Sequence, residues 1–183
     1  NPISAANIPS TRLQMEDVHE AVGLDFQYFN GSSGNKYLIE AMGGGVSVLD
    51  FDCDGWPDCY FPQGSKLPND PNDFGQLDQL FRNLNGERFV NVTQNTGIVE
   101  NGYSQGAAAG DINNDGFPDV VVANFGRNRL FINQGDGTFL DETDRWGLNE
   151  VEMSTSLALA DLDNDGNLDL YVTNYVDGMR ICR

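Results

Sequence analysis

The sequence predicts an all-β chain assembled from repeats of about 50 residues. Its 21 glycines and seven prolines in 183 residues favour turns over long helices. Residues 80–124 align with residues 130–174 without a gap at an offset of 50, so that Asp111 falls on Asp161 and Asn124 on Asn174. Short β-branched or apolar segments, separated by turn residues, fill each repeat. Composition, repetition and segment length therefore all predict short strands.

One repeat contains four strand-like segments. Residues 106–110 are small and precede an aspartate cluster, and residues 120–123 are apolar on both faces, as in a strand that is buried on both sides. Residues 129–133 form the third segment, and the turn at 134–137 joins them to the fourth, 138–143. Four strands in a repeat of about 50 residues are typical of a β-propeller blade. A meandering β-sandwich is the alternative.

The repeats predict one partial β-propeller over residues 1–183. We expect blades to begin near residues 43, 104 and 154, the last of them incomplete. Residues 13–24 align with the fourth strand of the repeats and are expected to form the outer strand of a closing blade. Because a closed ring takes about four to eight blades, we expect the remaining blades in a longer natural chain. An extra 11 residues in the first repeat lie in the Pro- and Asp-rich stretch 61–77, which indicates a surface loop.

Three segments share the pattern D-x-[DN]-x-D-G-x-x-D and start at Asp50, Asp111 and Asp161. Side-chain oxygens at positions 1, 3, 5 and 9, with the backbone carbonyl at position 7, could converge on one Ca²⁺, which takes about six to eight oxygen ligands. Glycine at position 6 permits the sharp turn that this requires. The predicted ligands of up to three Ca²⁺ ions are Asp50, Asp52, Asp54, Trp56 and Asp58; Asp111, Asn113, Asp115, Phe117 and Asp119; and Asp161, Asp163, Asp165, Asn167 and Asp169.

The same pattern is compatible with two alternatives to these calcium loops, namely EF-hands and metal-free turns. An EF-hand begins with this pattern but needs a glutamate at position 12, where the chain has Phe61, Val122 or Val172 in strand-like surroundings. The sequence therefore excludes EF-hands. The other reading is a set of metal-free turns that are held by side-chain hydrogen bonds. Facing carboxylates argue against it, because they repel one another without a counter-ion.

The charge of the chain excludes several classes of partner. Twenty-eight acidic residues against ten basic ones give a net charge of -18, which disfavours nucleic acid and anionic membrane surfaces. No apolar run approaches the ~20 residues of a membrane-spanning helix. We therefore predict neither a nucleic-acid partner nor insertion into a membrane.

The sequence contains no recognisable catalytic or organic cofactor-binding constellation. His19 is the only histidine, and it aligns with Thr93 and Thr143, which we assign to an ordinary strand position. The paired carboxylates belong to the metal loops, so that no acid–base pair of a glycosidase can be singled out. We therefore predict that the chain is not an enzyme.

Two features distinguish individual loops. Cys53 and Cys59 replace the asparagine and the aliphatic residue that the other loops carry at positions 4 and 10. They could form a disulfide, which suits an oxidising compartment, or remain two separate thiols; Cys182 is left over. Trp56 and Phe117, both at position 7, are expected to pack between blades.

The segments 37–40, 43–46 and 50–58 carry a resemblance to a known family. The loops, preceded by glycine-rich strands and followed by aliphatic ones, resemble FG-GAP (VCBS-type) repeats, the blades of integrin-α-like β-propellers. The three opening segments are most similar to the cartilage-acidic-protein-like group, whose longer members end in an ASPIC/UnbV domain. The resemblance covers nearly all of residues 13–176.

This resemblance implies calcium-stabilised blades in an exported protein with a binding or adhesion role. Such a protein would be extracellular, periplasmic or at the cell surface, with its signal peptide removed. We therefore expect a calcium-binding module that recognises a protein or a glycan. The alternatives are the propeller domain of a polysaccharide-degrading enzyme, either a lyase or a hydrolase, and a structural spacer beside a separate functional domain.

Overall fold

The computed structural model describes residues 15–175, which are mostly strands and turns. The helical segments are short: α1 at His19–Val22, a 3-10 turn at Leu38–Ala41 and α2 at Thr93–Thr96. The strands are β1 Ser47–Leu49, β2 Asp58–Phe61, β3 Gln79–Leu84, β4 Arg88–Asn91, β5 Tyr103–Gly110, β6 Asp119–Arg127, β7 Arg129–Asn133, β8 Phe139–Asp141, β9 Val151–Ala160 and β10 Asp169–Asn174. The prediction of an all-β chain is confirmed.

Each of the first two repeats forms an antiparallel meander of four strands. In the first, the order is β1-β2-β3-β4, and in the second it is β5-β6-β7-β8. β9 and β10 form a further antiparallel pair, and the end of β6 pairs with the start of β9 through Phe125↔Met153. These four-stranded meanders have the form of β-propeller blades. Their first strands begin at Ser47, Tyr103 and Val151, while the expected boundaries near 43, 104 and 154 stay predictions.

β6 is buried on both faces because the neighbouring units cover one face each. Val120 and Val122 pack with Tyr60, Leu80 and other residues of the first blade. Val121 lies on the opposite face, in a cluster that also includes partly buried leucines of β9 and β10. All three valines are fully buried, and each contributes about 1.5–3 kcal/mol by leaving water. The run 120–123, apolar at every position, therefore reflects a strand placed between two sheets.

Glycines let the inner strands of successive units approach closely. A Cβ atom on Gly45 would lie 3.2 Å from the Cα of Gly106, and one on Gly106 would lie 3.1 Å from the carbonyl oxygen of Thr155. Both neighbours are backbone, which cannot rotate away as a side chain can. The glycine-rich segments before the aspartate loops thus set the spacing between the units.

The expected outer strand at 13–24 is wrong for the part of it that is described. Residues 19–22 form α1, followed by Gly23 with φ +77°, and residues 13–14 lie outside the described range. α2 has the same form and is followed by Gly97, also with φ +77°. The alignment of this segment with the repeats was sound, but residues 19–22 align with α2, which follows the fourth strand and ends on a left-handed glycine.

α1 occupies the same place relative to the first blade that α2 occupies relative to the second. A Cβ atom on Gly23 would lie 2.9 Å from the carbonyl oxygen of Phe89, and one on Gly97 would lie 2.9 Å from that of Phe139. His19 therefore begins a helical turn rather than lying in a strand. Its Nδ1 is 2.6 Å from Asp17 Oδ1, and this hydrogen bond raises the pKa of the exposed imidazole.

Candidate metal centres

Each aspartate loop joins the first two strands of its unit. Residues 50–58 lead from β1 to β2, residues 111–119 from β5 to β6, and residues 161–169 from β9 to β10. Position 4 is left-handed in all three, with φ +56° at Cys53, +59° at Asn114 and +66° at Asn164. The glycines at position 6 also have positive φ, between +89° and +94°. The common pattern therefore folds into a common conformation.

The aspartate at position 1 organises each loop through backbone hydrogen bonds. In the first loop, Asp50 accepts from the N–H of Asp54 at 3.0 Å and from that of Gly55 at 2.9 Å. Asp111 and Asp161 accept from the corresponding amides at 2.8 to 3.1 Å. These are the bonds that the metal-free alternative requires. In the first and third loops they accompany a cluster of three carboxylates.

Two loops bring three carboxylates close enough to share one ion. One oxygen each from Asp50, Asp52 and Asp54 lie within 4.8 Å of one another, and the same holds for Asp161, Asp163 and Asp169. Two oxygens that each lie about 2.4 Å from a calcium ion can be at most about 4.8 Å apart. Both sets therefore fit the size and the oxygen preference of Ca²⁺.

The aspartate at position 9 is chiefly a structural residue in the first two loops. Asp58 is fully buried, and its two oxygens accept from the N–H groups of Phe51 at 3.0 Å and Asn83 at 2.7 Å. Asp119 does the same with Ile112 and Asn133, at 2.9 Å each. These bonds tie the start of the loop to the third strand of its blade. Asp58 lies outside the first carboxylate cluster, whereas Asp169 belongs to the third.

The other predicted ligands are brought together less fully. Asp111, Asp115 and Asp119 do not form such a carboxylate cluster within residues 15–175, and Asn113 supplies an amide oxygen instead. Asp165 lies outside the third cluster and accepts from the N–H and Nδ2 of Asn167, which lowers its pKa. Among the described residues, the three predicted loops thus comprise two with a cluster of three carboxylates and one without such a cluster.

The buried carboxylates at position 9 have raised pKa values. Loss of water contact is the main cause, and it raises the pKa of Asp58 to about 6 although two backbone N–H groups act in the opposite direction. The negative charges of Asp52 and Asp54 act in the same direction as burial. Burial also raises the pKa of Asp119. Negative charge is therefore concentrated around the loops at some energetic cost.

Arg82 on β3 is a cation that sequence reasoning missed. Its Nε lies 2.5 Å from Asp52 Oδ2, and its Nη2 lies 3.0 Å from Asp54 Oδ2. The aligned residue of the second repeat is Ile132, which is buried in the core. The first loop therefore carries a built-in positive charge that the second lacks. The offset of 50 could have revealed this contrast, but not the contact, because the contact depends on the pairing of β2 with β3.

The aromatic rings at position 7 contact hairpin turns of their own repeats. A Cβ atom on Gly86 would lie 2.6 Å from the ring of Trp56, and one on Gly135 would lie 2.7 Å from the ring of Phe117. These contacts lie within one blade, and the packing of the two rings between blades stays a prediction. The glycine of the turn between the third and fourth strands leaves the space that each ring fills.

Of the two alternatives for Cys53 and Cys59, the structure shows separate thiols rather than a disulfide. Both are free thiols. The left-handed backbone at Cys53 directs its Sγ to within 3.7 Å of the carbonyl oxygen of Gly116 in the neighbouring loop. Cys59 lies in β2 opposite Val48 and Phe81, and burial raises the pKa of its thiol. Cys182 lies outside the described residues.

The three loops contact one another in a row. The contact between Cys53 and Gly116 joins the first loop to the second. The Nδ2 of Asn114 donates to the Oδ1 of Asn167 at 2.9 Å and joins the second to the third. In both cases position 4 of one loop touches position 6 or 7 of the next.

A buried carboxylate closes the extra loop of the first repeat. Asp78 is fully buried and accepts from the N–H of Gln63 at 2.7 Å and from the hydroxyl of Tyr60 at 2.8 Å. In the second repeat, the aligned Asn128 accepts from the N–H of Asn124 at 2.9 Å. The same hydrogen bond thus closes a short turn in one repeat and the insertion in the other. The Asp78–Asn128 alignment was available in the sequence as a signal.

No helix among residues 15–175 is both long and apolar enough to cross a membrane.

A search of curated proteins finds no match to this chain. A sequence model of the FG-GAP-like repeat matches residues 50–122 and, a second time, residues 111–172. Each match begins at the first aspartate of a loop, and together they span well over half of the 183 residues. The chain therefore belongs to the family of FG-GAP-like repeat proteins.

Proposed function

We propose that the chain is an exported, calcium-binding β-propeller module that recognises a protein or a glycan, acting outside the cell, in the periplasm or at the cell surface. The observation that carries this proposal is the pair of three-carboxylate clusters, each with oxygens within 4.8 Å of one another, in loops of the FG-GAP-like repeat. Members of this family are typically extracellular or surface proteins, and their repeats are generally non-catalytic. On the segments 37–40, 43–46 and 50–58, we place the chain nearest to the cartilage-acidic-protein-like group.

Calcium in this proposal acts on stability rather than on chemistry. Asp50, Asp52 and Asp54 would hold one ion, Asp161, Asp163 and Asp169 another, and the oxygens of the second loop a third and weaker one. The ion supplies positive charge that offsets repulsion among the carboxylates. Because each loop joins two strands of one unit, the bound ion would hold the strand ends in their folded positions.

The first experiment is a thermal melt in EDTA and in 10 mM CaCl2. Extracellular calcium sites often have Kd values of about 10⁻⁴–10⁻³ M, so this concentration occupies most of each site. At about 10 to 100 times its Kd, the ion stabilises the folded state by about 1.4–2.7 kcal/mol. For a chain of this size that raises Tm by roughly 3–10 °C per site. An unchanged Tm would contradict the proposal.

Matched variants locate the effect. Asp161→Asn with Asp163→Asn keeps the size of both side chains while removing two charges from the third cluster. We expect this pair to reduce the calcium-dependent shift. The control pair is Asp70→Asn with Asp73→Asn in the exposed extra loop, which should leave the shift unchanged.

A separate experiment distinguishes recognition from catalysis. The calcium-loaded protein is applied to glycan and protein binding arrays, and in parallel it is incubated with acidic polysaccharides. A recognition module retains ligands without shortening the polysaccharides. Release of reducing or unsaturated ends would instead support the alternative of a polysaccharide-degrading enzyme.

A further inference from the structure

A groove lies between the extra loop of the first blade and the turn that follows β4. Its side chains come from Phe74, Leu77, Gln79, Asn91, Gln94 and Asn95. Its volume is about 440 Å³, within the range of about 300–1,000 Å³ that is usual for small-ligand sites. The only ionisable residue along it is Asp78, which is buried and accepts hydrogen bonds from Tyr60 and Gln63.

The second repeat shows what these positions carry where the extra loop is missing. At an offset of 50, all four amide residues of the groove fall on charged residues. The aligned pairs are Gln79 with Arg129, Asn91 with Asp141, Gln94 with Asp144, and Asn95 with Arg145. The first repeat has thus exchanged charges for neutral amides at each of the four positions, beside the insertion that forms the other wall.

The charged set of the second repeat is fully paired. Arg129 Nη1 lies 3.1 Å from Asp141 Oδ2, Asp144 lies 2.5 Å from Arg127, and Arg145 lies 2.7 Å from Glu142. These ion pairs leave little capacity to bind a neutral ligand.

Two of the four amide side chains in the first repeat have hydrogen-bonding groups without a partner among the described residues. Asn91 Nδ2 donates to Gln79 Oε1 at 2.8 Å, in the place of the Arg129–Asp141 pair. Within residues 15–175, the side chains of Gln94 and Asn95 are exposed and make no hydrogen bond. Each of these amides offers two donor hydrogens and one acceptor oxygen.

Phe74 adds an apolar surface to this polar wall. It belongs to the extra loop, which has no counterpart in the second repeat, and 57% of it is exposed. The loop is held in place by Asn101, whose Nδ2 donates to the carbonyl oxygen of Pro71 at 2.8 Å. An anchored aromatic ring opposite free amides suits a ligand with apolar ring faces and hydroxyl edges.

We propose that this groove binds a neutral carbohydrate, with Gln94 and Asn95 hydrogen-bonded to sugar hydroxyls and the ring of Phe74 stacked on a sugar face. This inference rests on the proposed recognition function and names its ligand class. A charged ligand fits less well, because no exposed charge lines the groove and the chain carries a net charge of -18, which repels anions.

The test measures binding by isothermal titration and saturation-transfer NMR in 5 mM CaCl2. The probes are cellotetraose, mannotetraose and chitotetraose as neutral sugars, tetragalacturonate as an acidic one, and an uncharged Gly-Ser peptide. We expect at least one neutral sugar to bind and to show contacts with an aromatic ring. No binding by the three neutral sugars would overturn the proposal, as would tighter binding of the acidic sugar or of the peptide.

The second repeat supplies the decisive variant. Gln79→Arg, Asn91→Asp, Gln94→Asp and Asn95→Arg together install residues that the aligned blade already tolerates, so that folding should be retained. We expect at least a tenfold loss of sugar affinity, and a similar loss for Phe74→Ala. The control is Asp144→Gln with Arg145→Asn in the second blade, which should bind sugar as the unaltered chain does. Unchanged affinity in the fourfold variant would place the ligand elsewhere and overturn the proposal.

The two proposals can fail separately. A calcium-dependent Tm without sugar binding contradicts the proposed sugar site and supports the proposed calcium sites. If sugar binding is lost in the fourfold variant and Tm does not depend on calcium, the results support the proposed sugar site and contradict the calcium sites.

Discussion

Arg82 makes the first aspartate loop different from the second at the level of a single residue. Its guanidinium lies beside Asp52 and Asp54, two of the three clustered carboxylates, and its side chain is 38% exposed. Because solvent screens a partly exposed pair, such contacts are worth about 0.2–1 kcal/mol. Arg82 thus supplies part of the counter-charge that a cation would otherwise provide.

We therefore expect Arg82→Ile, which installs the residue found at position 132, to raise the calcium affinity of the first loop by about two- to fivefold. The same change should lower Tm in EDTA, because the carboxylates lose their compensating charge. Calcium titration in an Asp111→Asn, Asp161→Asn background isolates the first loop. Arg88→Ile on exposed β4 is the control, and an affinity that does not change in Arg82→Ile would contradict the expectation.

Asp78 is a second single residue with a measurable consequence. Burial and the nearby Glu100 carboxylate raise its pKa well above the usual range. Glu100 is itself buried, with Arg129 Nε 3.2 Å from its Oε2, and Tyr60 faces Asp78 from β2. A carboxyl whose folded pKa is raised stabilises the fold below its unfolded pKa of about 3.9, and loses that contribution as pH rises.

Asp78→Asn should therefore change how stability depends on pH. Asparagine can accept from the N–H of Gln63, as Asn128 accepts from that of Asn124, but it does not ionise. We expect Tm of the variant, relative to the unaltered chain, to increase steadily from pH 4 to pH 8. Thermal melts across this range measure the difference, with the exposed Asp25→Asn as control. A difference in Tm that stays constant with pH would show that the pKa of Asp78 is the same in the folded and unfolded states.

At the scale of an element, the extra loop is an insertion into a turn whose closing hydrogen bond is conserved between the repeats. Gln63 and Asp78 close 14 residues, while Asn124 and Asn128 close three. Lengthening a loop between fixed ends costs little, about 1.4 kcal/mol for this difference. The blade below should therefore be insensitive to what the insertion contains.

Replacing residues 64–77 with residues 125–127 tests this. We expect the shortened chain to keep its β-sheet circular dichroism and a cooperative melt, with Tm lowered by a few degrees through lost contacts to Asn101 and to residues 29–31. Sugar binding should disappear with Phe74. Loss of cooperative unfolding would show that the insertion is part of the folding unit.

The individual elements also show how much of the secondary structure could be predicted from the sequence. The third strand, 129–133, and the four-strand order of each blade were predicted correctly, because a repeat fixes strand positions twice over. The same alignment placed residues 13–24 beside the repeats, yet it assigned a strand where α1 forms. Apolar spacing over so few residues does not distinguish a strand from one helical turn.

The conformation of the aspartate loops could be predicted from the sequence, but their contacts with other elements could not. Spacing alone found the aspartates, because their convergence depends on a nine-residue turn. The ion pair of Arg82, the exclusion of Asp58 from the first cluster and the direction of Cys53 all depend on neighbouring strands or loops. The disulfide alternative considered only the loop that contains both cysteines, and it missed the contact of Cys53 with the neighbouring loop.

At the scale of the whole molecule, glycine at the inner strands sets the distance between units. Gly106→Ala would bring a Cβ atom to 3.1 Å from backbone of β9, so the two units must separate slightly. Overpacking of this kind costs about 1–3 kcal/mol. We expect Tm to fall by roughly 2–10 °C.

Gly43→Ala is the matched control for that experiment. A Cβ atom there meets nothing within 4 Å, and the backbone is not left-handed. Thermal melts of both variants in calcium should show a loss only for Gly106→Ala. Equal Tm values would mean that the spacing between units adjusts freely.

The row of loops has a further consequence, which concerns symmetry. Position 4 of each loop touches position 6 or 7 of the next, so that the contact joins two different surfaces, head to tail. A contact of this type does not pair off its two members as a twofold contact does, and it can be repeated along an array until the rotation per step closes a ring. Asn164 occupies position 4 of the third loop, where its backbone is left-handed and its side chain is exposed. A further repeat that docked in the same way would contact Asn164 through position 6 or 7 of its own loop.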